Sequence, residues 1–164
     1  MGSSPSDHLR ITEIRVNGQT HRRAVATSMT LLDFLREELV LTGTKRGCDV
    51  GDCGCCTVLM DAKPILSCLL LAAEAEGTEI TTIEGVARDG KLHPVQEAMV
   101  EAGAIQCGFC TPAMVLNGVH LVENNPKPKP EEIKECVSGT LCRCTGYTKI
   151  EKAIGLAAER VSGK

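Results

Sequence analysis

The chain has 164 residues, 43% of them hydrophobic but only 2% aromatic, and a formal net charge of −3. That length gives one domain or two small ones, with a core that must be aliphatic. No basic excess, no Trp, one Tyr and two Phe set aside nucleic-acid modules, which lean on cationic patches and aromatic stacking.

The start, MGSSPSDH, is polar and carries no apolar h-region. No apolar run is long enough to cross a bilayer. Gly2 with Ser6 formally fits an N-myristoylation pattern, but a frayed polar terminus is the simpler reading. The expectation is a cytoplasmic protein in a reducing compartment, where clustered cysteines bind metal more often than they form disulfides.

LRITEIRV (9–16) alternates apolar and polar residues and predicts a strand. Asn17-Gly18 is a strong hairpin signal, and a second strand should pair back through about Val25. Thr30-Leu31-Leu32-Asp33 resembles a capping box with Asp in the Glu position. It opens a predicted helix, TLLDFLREEL, with Leu31, Leu35 and Leu39 on one face and Gly43 placed to end it. After a cysteine-rich loop come a strand at Thr57–Met60, a turn at Asp61-Ala62-Lys63, a short strand to Ser67 and a last one near Glu79–Ile83. Strands around one helix predict a small α+β sheet domain.

Beyond about Glu84 the pattern turns helical. HPVQEAMVEAG carries Pro94 in its first turn, and TPAMVLNGVHLVENN opens on Thr111 and Pro112. PEEIKECVSG begins at Pro130 and stops at Gly139. YTKIEKAIGLAAERV puts Ile150, Ile154, Ala157 and Val161 on one stripe. Asn125–Pro130, with three prolines, is a stiff exposed connector whose lysines read as solvated surface. The boundary between the halves falls near residues 84–90.

Ten cysteines are the chain's strongest chemical signal. Cys48, Cys53 and Cys56 form C-x4-C-x2-C, with Cys68 twelve positions on. This is the plant-type spacing for a [2Fe–2S] cluster. Zinc prefers C-x2-C pairs closing a tetrahedron and fits less well. Four thiolates around an oxidised cluster carry a net charge of about −2, best stabilised by backbone N–H groups pointing at the sulfurs. Gly47, Gly51 and Gly54 would let the backbone wrap that closely. Cys107 and Cys110 form C-x2-C, and Cys142 and Cys144 form C-x-C. Alone, this second set could equally hold zinc; beside a plant-type site, a second [2Fe–2S] cluster is the better reading. Cys55 and Cys136 are left over and read as core packing. His8, His21, His93 and His120 are scattered and read as surface or core histidines. There is no phosphate loop and no Ser/His/Asp order.

GCDVGDCGCCTV, ITTIEG (80–85), QCGFCTPAM (106–114) and LCRCTGY (141–147) together carry a resemblance. The sequence is similar to the small iron–sulfur subunit of the molybdenum hydroxylases, the family of xanthine dehydrogenase, aldehyde oxidoreductase and carbon monoxide dehydrogenase. The likeness covers nearly everything after Asp7. It implies an α+β fold: a β-grasp, plant-type ferredoxin-like domain over 8–84, then a four-helix [2Fe–2S] domain over 85–164. It implies that Cys48, Cys53, Cys56 and Cys68 hold the plant-type cluster, and that Cys107, Cys110, Cys142 and Cys144 hold a second, buried one. Gln106 and Cys144 would then lie near the molybdopterin of a large partner subunit. Electrons would pass from molybdenum to the helical-half cluster, the plant-type cluster, and an FAD on a medium subunit, in a heterotrimer or its dimer. The subunit would serve an oxidoreductase without catalytic residues of its own. Two departures stand out: Cys55 where the family usually has Ala, and Ala113 where it usually has Gly. A free ferredoxin carrier would not need the second half, and a zinc-stapled interaction module fits the first motif poorly. The substrate pocket would lie in the large subunit; SCLLLAAEAEGTEI and KLHPVQEAMVEAGAIQCGFC lean toward the bacterial purine type.

Overall fold

The computed structural model describes residues 8–163; the Gly2/Ser6 pattern lies outside them. A hairpin leads the chain, β1 (Leu9–Val16) and β2 (Gln19–Ala26), paired antiparallel from Leu9 opposite Ala26 to Val16 opposite Gln19. Asn17 and Gly18 both take positive φ, as a two-residue hairpin turn requires. In β1 every second residue from Thr12 to Val16 is buried, so Thr12, Ile14 and Val16 face inward.

The predicted ten-residue helix is shorter and different in kind. α1 (Leu31–Asp33) is one turn, and Phe34–Glu38 continue it as a π-helix in which Leu39 N–H donates to Phe34 C=O at 3.1 Å. It is Val40, with φ +57°, that turns the chain away. Gly43 is used elsewhere: its N–H donates to Glu84 Oε1 at 2.8 Å, and a Cβ there would meet Ile83 at 2.3 Å. The expected cap is present. Thr30 Oγ1 accepts from Asp33 N–H at 3.1 Å and donates to the Asp33 carboxylate at 2.6 Å.

After the cysteine loop, β3 (Thr57–Met60) and β4 (Lys63–Leu66) form a second hairpin. A 3₁₀ turn at Ala72–Ala75, absent from the sequence reading, precedes β5 (Glu79–Thr81). β5 ends two residues before the expected Ile83, because Ile83–Gly85 coil into another 3₁₀ turn. The sheet order is β2-β1-β5-β3-β4, with β1 and β5 parallel and the remaining pairs antiparallel. Its core is Ile14, Val16, Phe34, Leu35, Val58 and Ile80.

The second half is helical: α2 (Pro94–Glu101), α3 (Thr111–Asn124), α4 (Pro130–Ser138) and α5 (Tyr147–Ser162). His93 caps α2, accepting from Val95 N–H through Nδ1 at 3.2 Å while Gln96 Oε1 accepts from His93 N–H at 2.9 Å. The helices close over Val95, Met99, Met114, Leu116, Val122 and Ile154. Ile150, Ile154 and Ala157 of the expected α5 stripe are buried, and Val161 packs at its edge. Cys55 and Leu59, from the sheet half, belong to this helical core, so the two halves share a packed seam.

Candidate metal centre

The cysteine loop, residues 47–56, is tied to the sheet half at its entrance. Arg46 pairs with Asp33 of α1 and, at 2.8 Å, with Asp49, which itself takes φ +61°. Burial works to raise the Asp33 carboxyl, but the Thr30 hydrogen bond and Arg46 outweigh it and hold the group below its usual range. The Arg46 guanidinium, bonded to Asp49 and Asp33, is pushed further up.

Within the loop the backbone turns its N–H groups onto sulfur. Cys48 Sγ receives N–H groups from Val50, Cys53 and Asp52, the Cys53 contact at 3.4 Å, and its thiol drops to about 7. Gly51 and Gly54 take φ +82° and +69°, the left-handed region that glycine enters at least cost. Gly47 is needed for space instead: a Cβ there would stand 2.6 Å from Cys53 Sγ. Gly54 also marks the seam, because its Cβ would fall 1.9 Å from the Gly139 carbonyl oxygen.

The other two thiols of this half lie inward. Cys56 and Cys68 are buried beside Leu32, with Cys68 N–H and thiol directed at Cys56 Sγ. Burial pushes the Cys56 thiol up to about 11. Ser67 Oγ donates to the Cys56 carbonyl at 2.7 Å and holds the turn after β4, which carries Cys68, against it.

The helical half repeats the arrangement. Cys107 is paired with Cys144, and Cys110 with Cys142. Cys107, with Phe109 N–H and the Cys144 thiol on it, is lowered. Burial opposes ionisation of Cys142, but N–H groups from Gly146, Cys144 and Thr145 and the Cys110 thiol win, and Cys142 is lowered too. Cys110, at the start of α3, is pushed by burial up to about 12. Thr145, with φ +56°, makes the turn that brings these N–H groups round. Gln106 Nε2 donates to the Cys144 carbonyl at 3.3 Å on the exposed side of this group.

Eight thiols therefore come together as four pairs, two pairs in each half, and the Cys55 thiol also lies against that of Cys53. Among the described residues no group of three or more His, Cys, Asp or Glu side chains is placed to hold a metal ion. A two-iron group takes its thiolates in twos, and pairs suit it. The donor chemistry fits as well. Backbone N–H groups lower the thiols of Cys48 and Cys142, whereas burial raises those of Cys56 and Cys110, which a bound cation would help to ionise.

The leftover cysteines separate. Cys136 lies on α4, away from both sets, and burial alone raises it to about 11. Cys55 is 4% exposed and sits in the seam, its thiol 3.7 Å from the Cys53 carbonyl and 3.8 Å from that of Leu141. His8, His21 and His93 are apart from the thiols. His120 Nδ1 instead bonds the Ala62 carbonyl at 2.8 Å, joining α3 to the β3–β4 turn. The sequence reading missed Tyr147. Its hydroxyl accepts from Cys142 N–H at 2.7 Å and donates to the Thr140 carbonyl at 3.1 Å. Its signal was its position, the chain's only tyrosine standing five residues after Cys142.

Comparison with known proteins agrees with this geometry. Residues 14–82 match the 2Fe-2S iron-sulfur cluster binding domain family, and residues 82–155 match the [2Fe-2S] binding domain family. The nicotinate dehydrogenase small FeS subunit of Eubacterium barkeri is 46% identical over 147 residues, covering 90% of this chain and 94% of that one. This chain belongs to the small iron–sulfur subunits of the molybdenum hydroxylase family. The xanthine dehydrogenase iron-sulfur-binding subunit of Escherichia coli O157:H7 is another relative, 45% identical over 145 residues, with 87% of this chain and 90% of that one covered. Quinoline 2-oxidoreductase from Pseudomonas putida 86 contains a chain that superposes with a TM-score of 0.89 at 43% identity, covering 94% of this chain and 97% of that one. This member of the family is an electron-transfer subunit of an oxidoreductase. Among the described residues no helix is long and apolar enough to cross a membrane.

Proposed function

We propose that the chain holds two [2Fe–2S] clusters in line and passes electrons between partner subunits of a cytoplasmic enzyme. Cys48 and Cys53 hold one iron of the plant-type cluster, and Cys56 and Cys68 the other. Cys107 with Cys144, and Cys110 with Cys142, do the same in the helical half. Residues 8–84 form a β-grasp ferredoxin-like domain and residues 85–164 a four-helix domain, one for each cluster. The thiol pairing in both halves carries this reading.

When bound, such clusters supply one-electron carriers. The residues of the chain do the rest. Backbone N–H groups at Cys48 and Cys142 stabilise the negative charge on sulfur, and the buried seam around Cys55 and Leu59 fixes one half against the other. Gln106 and Cys144 face a molybdopterin on the large subunit. Ile105, Phe109 and Leu141, 43%, 44% and 58% exposed, lie in the loops carrying the second cysteine set and supply apolar surface for that subunit. The Cys48 side faces a flavin on a medium subunit, and the assembly is a heterotrimer or its dimer. Some relatives are named for aromatic nitrogen heterocycles and others for aldehydes; the heterocycle class is proposed for the enzyme served here.

The order of transfer is testable in assembled enzyme by rapid mixing with electron paramagnetic resonance. With Cys48→Ser, substrate should reduce the helical-half cluster while the flavin stays oxidised. With Cys142→Ser, the plant-type cluster should stay oxidised. Rapid flavin reduction in the Cys48→Ser enzyme, with its cluster confirmed absent, would contradict this order.

A further inference from the structure

Thr140, Leu141 and Cys142 form a short strap between α4 and α5 that touches both cysteine sets. Almost every backbone polar group along it is held. Thr140 N–H donates to Val137 C=O at 3.2 Å, and Thr140 C=O accepts from the Tyr147 hydroxyl at 3.1 Å. Leu141 N–H crosses the seam to the Cys53 carbonyl at 2.9 Å. Leu141 C=O faces the Cys55 thiol at 3.8 Å, and Cys142 N–H is taken by the Tyr147 hydroxyl at 2.7 Å. Cys53 and Cys142, one thiol from each set, are thus joined through a single inter-half hydrogen bond. The strap borders an open groove of about 440 Å³ lined by Cys53, Cys55, Cys142 and Tyr147 among others, so water lies close to it.

Resting on the relay reading above, the geometry points to Tyr147 and Cys55 as the positioning residues of the junction between the two clusters. Tyr147 has a particular electrostatic consequence. Backbone N–H groups near cluster sulfur stabilise the reduced form. The Tyr147 hydroxyl takes the Cys142 N–H for itself, while the N–H groups of Gly146 and Cys144 remain on Cys142 Sγ and that of Thr145 donates to the Cys142 carbonyl at 3.1 Å. It withholds one donor and keeps the helical-half cluster harder to reduce than the loop would otherwise make it. Cys55 works from the opposite side. Its thiol is a weak donor, but it spans the Cys53 and Leu141 carbonyls and fills the space where the halves meet. Ala in its place would fill less of the seam and let the strap shift.

The test uses assembled enzyme with iron content measured first. Tyr147→Phe removes one hydroxyl and frees the Cys142 N–H to turn toward sulfur or to admit water. At a fixed solution potential, the reduced-to-oxidised ratio of the helical-half cluster should rise by about three- to tenfold, the span one hydrogen bond controls. The magnetic splitting between the two reduced clusters should weaken. Cys55→Ala should weaken the same splitting with little change in the ratio. Unchanged ratio and splitting in a fully loaded Tyr147→Phe enzyme overturn the inference. If Tyr147→Phe loses iron, Cys55→Ala decides, and an unchanged splitting there overturns it. An unsubstituted enzyme without two cluster signals would overturn the relay reading itself; unchanged signals in loaded variants overturn this inference alone.

Discussion

Single residues set how closely the two halves approach. Gly54 is left-handed at φ +69°, and its missing Cβ makes room for the Gly139 carbonyl. Gly139 is its partner at the seam, yet a Cβ on Gly139 would meet nothing within 4 Å. Gly54→Ala should therefore cost about 1–2 kcal/mol from the backbone alone, and more from the clash, whereas Gly139→Ala should be nearly silent. Thermal unfolding of the loaded enzyme checks the contrast; equal midpoints for the two variants would count against a tight seam. The cysteine spacing and the interleaved glycines were readable in sequence because ligand separation and backbone freedom are local properties. The seam role of Gly54 was not, since its partner lies 85 positions away. Cys55 and Cys136 read alike as packing, and only the fold separates them: one bridges the halves, the other sits on α4.

Elements were legible where a short-range signal dominated. The Asn17-Gly18 hairpin, the proline-led helices and the α5 stripe all stand where periodicity and turn chemistry put them. The helix after Thr30 did not: Leu31, Leu32, Phe34 and Leu35 are buried at ordinary α-helical spacing, yet the backbone widens to a π turn over Phe34–Glu38, for which the residue pattern carries no signal. Its stop at Val40 uses a β-branched residue in a left-handed conformation, which no propensity favours. The β3–β4 hairpin shows a similar local cost. Asp61 and Ala62 have φ +48° and +63°, a turn that normally asks for glycine second. Ala62 is held there partly by His120 from α3. Ala62→Gly should relieve about 1 kcal/mol of that strain and raise the apparent unfolding midpoint. A lowered midpoint would mean that the turn is not strained as its dihedrals imply.

At the scale of the whole molecule, the chain is two thiol-bearing units pressed together so that one loop of each meets at the seam. The sheet unit presents Cys53 and Cys55, and the helical unit answers with Leu141. The expected aliphatic core is present in the helical half, built on Val95, Met99, Met114, Leu116, Val122 and Ile154. The proposed ligand set is eight of the ten cysteines around two [2Fe–2S] clusters. Iron, acid-labile sulfide and zinc determined on anaerobically purified native enzyme, together with the integrated paramagnetic signal after full reduction, test it most directly. The expected result is about four irons and four sulfides per copy of this chain, with two distinguishable one-electron signals. Stoichiometric zinc, or only half that iron with a single signal, would contradict it.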